Sequence, residues 1–364
     1  MPAHAARWAL SRYLAFGVTS VRDVHGTMDS ALALAQQADL NAMPSPRIFT
    51  AGAMIDGVPT TYPDAQAVTT TTEARRAVDR LSVAGTNLVK VYTRITPPLL
   101  EAIVDEARTF QLPVAAHLGL TDAATAAKAG VGSIEHLTGV PEAAGLAKPL
   151  MAAHQKGFFT GWTAFERSWA TLDSAALTRV AQQLATTQVT MVPTLALHEI
   201  FSRLDDSTLQ QNPDLQAMPP ALKAAWNVPD MIRRAGWTAE DFAAFRKSRP
   251  YQDLFLRAFH AAGGRIVTGT DAANQMLVPG ASEHTELELL VRAGLSPTDA
   301  LRAATRDAAL LLGADSLGTL AVGKVADIVV LARDPLADIR NTRSVTRVMV
   351  RGQLFSADSI RAAW

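Results

Sequence analysis

Residues 87–136, NLVKVYTRITPPLLEAIVDEARTFQLPVAAHLGLTDAATAAKAGVGSIEH, alternate two kinds of local pattern, and the order of those patterns decides the fold. Residues 87–92 (NLVKVY), 113–117 (PVAAH) and 133–136 (SIEH) are short β-rich runs. Between them, 98–110 and 122–129 are Ala- and Leu-rich helix formers. Strand, helix, strand, helix, strand is the order of parallel βαβ units. Each of the three strands also carries or ends on a polar residue: Lys90, His117 and His136.

The same rhythm extends in both directions. Strand candidates 18–24 (VTSVRDV) and 47–51 (RIFTA) come before the stretch, and 190–195 (TMVPTL) and 266–270 (IVTGT) come after it, making seven. Helical runs at 30–37, 73–84, 145–157 and 174–187 separate them. A (β/α)8 barrel needs eight strands. The chain opens on a helical pattern over 5–14, ended by Gly17 and followed at once by the 18–24 strand. A helix of that kind normally connects two strands. Residues 197–250 break the rhythm with Pro219 and Pro220, with Trp226 and Trp237, and with no strand signal. They predict a helical insertion placed like a lid over the mouth. Beyond a helix over 297–312, the runs GTLAVGKVADIVVLARDP and SVTRVMVRGQLF within 318–355 predict antiparallel strands, with turns at Gly323-Lys324 and Arg351-Gly352.

Composition narrows the chemistry. Of 364 residues, 48% are apolar and 19% charged, a globular balance with material for one large domain, or one and a smaller one. Lys plus Arg equals Asp plus Glu at 34 each, so no basic field invites nucleic acid or an anionic membrane. No apolar run reaches the roughly 18–20 residues that cross a bilayer. No leader pattern opens the sequence, and a cytoplasmic location is expected unless a signal peptide has been lost upstream of Met1. Cysteine is absent, which removes disulfides, zinc–thiolate sites and cysteine nucleophiles.

Residues at the C-terminal ends of barrel strands face the active site. Alternation puts Leu88, Lys90 and Tyr92 on one face and Val89 and Val91 on the other. An ammonium turned into a barrel is costly to desolvate unless paired. His117 shares its face with Pro113 and Ala115, and His136 ends SIEH with Glu135 turned away. Asp271 follows IVTGT on the face of Val267 and Gly269. Singly, each has a structural reading: a hydrogen-bonded core histidine, a lysine in another register, an aspartate capping a helix. Four together at the strand ends of one βα series form a nitrogen- and oxygen-rich cluster suited to zinc or a similar divalent ion.

The runs VKVYT, AAHLG, SIEHLTG and TGTDA, closed by GTLAVGKVADIVVL, resemble the metal-dependent amidohydrolase superfamily over about residues 16–355. The likeness is to its imidazolonepropionase-like and Xaa-Pro-dipeptidase-like branch with a carboxylated lysine. It implies a carbamate on Lys90 bridging two metal ions, with His117 and His136 on the second ion. It implies Asp271 as ligand of the first ion and as proton shuttle. The implied reaction is hydrolysis of an amide-type C–N bond, in a dipeptide or cyclic amide among others, through a metal-activated hydroxide. Tyr92 matches a tyrosine that touches the substrate carboxylate in this branch; core packing is its other reading. His284, in PGASEHTELELL, resembles a position near the family's pocket and is a candidate substrate contact, against a loop or cap contact.

The family's first strand carries His-x-His, the pair that holds the first metal. The eight histidines here are His4, His25, His117, His136, His154, His198, His260 and His284, and no two are two apart. The resemblance thus predicts an α/β fold, a TIM-like (β/α)8 barrel lacking its first strand, over residues 1–316. Residues 317–364 are then the C-terminal part of a β-sandwich whose N-terminal strands are missing. One metal ion or fewer, zinc by its donors, is expected, against two in intact members. Open strand edges predict low stability as a monomer, or pairing with another chain as a homo-oligomer. Two functions compete: a hydrolase of a small-molecule substrate, and a truncated or degenerate relative without catalysis. His198, in LALHEI, is a candidate for facing the mouth. His154 and His260 sit near helix ends, where the dipole favours a surface histidine. His4 and His25 lack the spacing of replacement ligands.

Overall fold

The computed structural model describes residues 3–40, 43–216 and 218–363. The chain begins with α1 (Ala3–Ala15), β1 (Ser20–Asp23), α2 (Met28–Asp39) and β2 (Arg47–Thr50). Next come β3 (Ile55–Gly57), β4 (Gln66–Val68) and α3 (Thr71–Ala84). β5 (Val89–Val91) leads to α4 (Pro97–Thr109), and β6 (Val114–Ala116) to α5 (Ala123–Ala129). β7 (Ser133–Glu135) is followed by α6 (Ala147–Lys156), α7 (Phe158–Ser168) and α8 (Ser174–Ala185). After β8 (Thr190–Val192) come α9 (Leu195–Phe201), α10 (Pro213–Gln216), α11 (Pro220–Ala225), α12 (Val228–Ala235) and α13 (Ala239–Ala261). β9 (Arg265–Ile266) precedes α14 (Ala281–Ala293), α15 (Pro297–Ala303) and α16 (Arg306–Leu311). β10 (Ile328–Leu331), β11 (Val345–Val350), β12 (Gln353–Ser356) and α17 (Ala357–Ala362) complete the order.

β1 and β2 pair in parallel, and a seven-stranded sheet runs β4-β3-β5-β6-β7-β8-β9. The two are continuous: the Asn87 N–H donates to the Thr50 carbonyl at 2.9 Å, so β2 and β3 act as one bent strand beside β5. All the strands read from the sequence are present. β3 and β4 were not anticipated, because IDG and QAV carry too few β-branched or aromatic residues to mark a strand.

Outward residues Val89, Val91, Val114, Ala116 and Ile134 join Leu81 of α3 and Leu100 and Ile103 of α4 in the main core. Leu88 and Ala115 turn the other way and meet Ala51 and Val24 in a separate inner cluster. Arg22 on β1 and Glu135 on β7 form an ion pair at 2.8 Å. A flat sheet would hold those strands about 19 Å apart, at ~4.8 Å for each of the steps β1-β2-β5-β6-β7. The sheet therefore curls, and both side chains lie on the inner surface of a barrel wall.

The segment after β8 is helical, as its missing strand signal predicts, and it leans on the loop after β9, where Trp226 Nε1–H donates to the Ala273 carbonyl at 3.1 Å. α13 does not stop at Pro250 but runs through it to Ala261. Burial of Phe242, Phe245, Phe255 and Phe259 outweighs the roughly 3 kcal/mol that an interior proline costs a helix.

Of GTLAVGKVADIVVL only the last four residues form a strand, β10, which pairs antiparallel with β11, and β11 with β12. Arg351 and Gly352 both have positive φ, 50° and 78°, the two-residue turn whose twist matches a hairpin. The inner face of this sheet, Val345, Val348 and Val350, packs on Leu14 and Ala15 of α1 and on Ala357 and Ile360 of α17.

Candidate metal and catalytic site

Four of the sequence-predicted residues come together, Lys90 within β5 and His117, His136 and Asp271 past the C-terminal ends of β6, β7 and β9. Lys90 is turned inward and is 2% exposed. Burial lowers its pKa to about 8, opposed chiefly by the charge of Glu135, so near neutral pH a larger share of its amine is neutral than in an exposed lysine. His117 follows β6, with its ring 4.9 Å from that of His136 and 4.6 Å from that of Tyr92. Among the described residues neither ring nitrogen of His117 has a hydrogen-bond partner, although both are buried. Burial first, then His136 and Lys90, holds its pKa well below the ordinary imidazole value, and the ring is neutral. A neutral, dry imidazole with both nitrogens unused is costly unless something coordinates it.

His136 leaves β7 with φ +59°. Its N–H donates to the Val192 carbonyl at 2.9 Å, and its Nδ1 lies 2.7 Å from Thr194 Oγ1. Burial lowers its pKa to about 4, with Asp271 opposing. Its Nε2 is 4.0 Å from Asp271 Oδ2. Asp271, also at positive φ, keeps its side chain about a third exposed and accepts a hydrogen bond from Asn274 Nδ2 at 2.7 Å. Among the described residues no three His, Asp or Glu side chains group closely enough to hold a metal ion. Lys90, His117 and His136 fit such an ion only if the lysine becomes an anionic carbamate.

Tyr92 packs against His117 and Tyr62, and its burial leaves both of its sequence readings open. His284 stands apart from the cluster. It sits on α14 with Nδ1 3.0 Å from Thr342 Oγ1 and lies 5.8 Å ring to ring from Phe16. The structure thus corrects the substrate-contact expectation to the contact reading, because α14 turns this residue toward α1 and away from the strand ends. Glu135 is also corrected: with Ile134 outward in the main core, alternation turns Ser133 and Glu135 inward, where the carboxylate meets Arg22 and accepts from Ser133 Oγ at 2.6 Å. The positive φ at His136 breaks the alternation, so that this ring enters the site as well. His154 is buried, 3.8 Å from the Glu142 carboxyl, and not at the surface. His198 is buried beneath the site, bonded to Glu166 and to the His136 carbonyl. His25 pairs with Asp64, and the His4 side chain lies outside the described residues. Arg22, Thr194 and Glu166 carried no local signal, since each acquires its role from a partner distant in sequence.

Residues 3–355 match the amidohydrolase family model, and the chain belongs to that family. A 126-residue segment is 35% identical to the ochratoxinase of Aspergillus niger, covering 32% of this chain and 25% of that protein. The match thus spans about a quarter of the length of this curated relative. Among solved structures, a bottromycin amidohydrolase superposes with a TM-score of 0.74 at 24% identity, over 98% of this chain and 75% of the other. A Xaa-Pro dipeptidase with bound methionine in its active site gives 0.66 at 20% identity, over 96% and 78%. Both likenesses show the barrel fold.

Proposed function

We propose that this chain hydrolyses an amide-type carbon–nitrogen bond in a small-molecule substrate, a dipeptide or cyclic amide. It uses one divalent ion held by Lys90 as its carbamate, His117 and His136. The observation that carries the reading is the buried His117 ring with both nitrogens unpartnered among the described residues, facing His136 and beside Lys90. Nitrogen and oxygen donors, three from the protein, suit zinc. Names among the matched proteins, a dipeptidase and an amidohydrolase, support an amide bond as the target.

When bound, the ion would polarise the scissile carbonyl and acidify a water molecule. The other tasks fall to the chain. The Lys90 amine, its pKa lowered by its dry position, adds in its neutral form to carbon dioxide through its lone pair and releases a proton. The N–COO⁻ so formed has a cationic neighbour to offset its burial. His117 enters as a neutral imidazole, and Thr194 orients the His136 ring. Asp271, the most exposed member, takes a proton from the attacking water and returns it to the leaving nitrogen. Tyr92 contacts the substrate carboxylate beside His117.

The test is a panel of dipeptides, N-acyl amino acids and cyclic amides, assayed with zinc-loaded and chelator-treated protein. Hydrolysis by the loaded form, lost on chelation and in Asp271→Asn, supports the proposal. A folded, zinc-loaded chain inert across the panel would favour a protein that binds without turnover. That second reading draws on the lack, among the described residues, of three His, Asp or Glu side chains close enough together to hold a metal ion.

A further inference from the structure

We propose that His198, set by Glu166, is a positioning residue for His136, and that the first turn of α9 holds that ligand at two points. The inference rests on the metal-site reading above. His136 and Leu137 both leave β7 in the left-handed region, φ +59° and +58°, a conformation that persists only where the surroundings impose it. Two groups of one helix turn meet this bend. Thr194 Oγ1 takes the His136 ring at Nδ1, 2.7 Å, and His198 Nε2 lies 3.2 Å from the His136 carbonyl oxygen. A carbonyl only accepts, so His198 Nε2 carries the hydrogen.

The rest of the assembly holds that donor still. Glu166 Oε1 is 2.5 Å from His198 Nδ1, and Gln252 Nε2–H donates to Glu166 Oε2 at 3.4 Å. Ser248 Oγ–H donates to the Glu166 backbone carbonyl at 2.5 Å. Trp162 stacks on the His198 ring at 5.7 Å and 12°, and the same indole lies 5.9 Å from His117 and 6.1 Å from His136. The start of α9 is anchored by Glu286, whose Oε2 accepts from the Ala196 N–H at 2.7 Å. His198 and Glu166 are 1% and 2% exposed, so neither reaches substrate. Their route to the chemistry is the orientation of His136, the kind of outer contact that tunes a metal ligand.

Replacing His198 alone by an apolar residue would strand a buried carboxylate, so the donor-free variant removes both partners. Glu166→Met with His198→Phe keeps the volume and the ring on Trp162 but has no donor. His198→Gln keeps a donor able to reach the His136 carbonyl. Zinc affinity is measured on the full chain by competition with a chromophoric chelator, beside circular dichroism and a thermal melt. The expected result is a roughly 10- to 100-fold loss in the double variant, with less than about 3-fold in His198→Gln. If the double variant does not fold, Thr194→Val, which removes the hydroxyl from the His136 ring, carries the test with the same expected loss. Unchanged zinc affinity in a folded double variant overturns the inference, as does an equal loss in both His198 variants, since packing and not the donor would then matter. No zinc binding by the unmodified chain overturns the metal-site reading itself, a result distinct from either.

Discussion

Arg22 and Glu135 meet at 2.8 Å across the inside of the barrel, and they act on Lys90 in opposite senses, the carboxylate raising its pKa and the guanidinium lowering it. The pair ties β1 to β7 and fixes the charge beneath the site. Its two side chains are 14% and 4% exposed, so removing one partner leaves the other nearly dry.

Arg22→Met is therefore expected to destabilise the protein by about 3–5 kcal/mol, read from the urea midpoint. Adding Glu135→Leu should recover more than half of that, because the stranded charge goes with it. A single variant as stable as the unmodified protein would show that the pair contributes nothing.

Metal content follows from the donor set. With Lys90, His117 and His136 as the protein ligands, elemental analysis after dialysis should find no more than about one zinc per chain. Two tightly held ions would mean that further side chains join the site.

Lys90→Ala should abolish zinc binding and hydrolysis together, and added short carboxylic acids should restore part of both by standing in for the carbamate. Full metal occupancy in the variant would make the lysine a structural residue only.

The pH dependence of stability tests Glu142. Burial raises its pKa from 4.5 to about 8, and among the described residues neither oxygen has a hydrogen-bond partner. A folded pKa above the unfolded one contributes stability that is full below 4.5 and is lost as pH rises toward 8. His154 beside it works in the other direction: lowered from 6.5 to about 4, it costs stability as pH falls through that window. The melting temperature of metal-free protein should thus decline on the alkaline side, and Glu142→Gln should flatten the decline by about 3 °C. An identical alkaline slope in the variant would mean that Glu142 is not buried as a neutral acid.

Much of the site was legible because it depends on short-range geometry. Alternation along 88–92 turned Lys90 inward, and the order of βα units set His117, His136 and Asp271 at strand ends, where family motifs assigned them roles. What lay beyond reach was decided by which elements close on one another. Glu135 is inward with Ser133 and found its partner in an arginine 113 positions earlier, while the positive φ of His136 broke the alternation that would have turned that ring outward with Ile134. His198 became a support for His136 through a glutamate 32 residues before it and a carbonyl 62 residues before it. His284, plausible by motif, was turned toward Phe16 and Thr342 by the helix that carries it. Strand alternation is a property of the chain's own covalent geometry and can be read along it. Ion pairs and hydrogen bonds across a curled sheet exist only once the curl has brought their partners within about 3 Å, and no local pattern encodes that meeting.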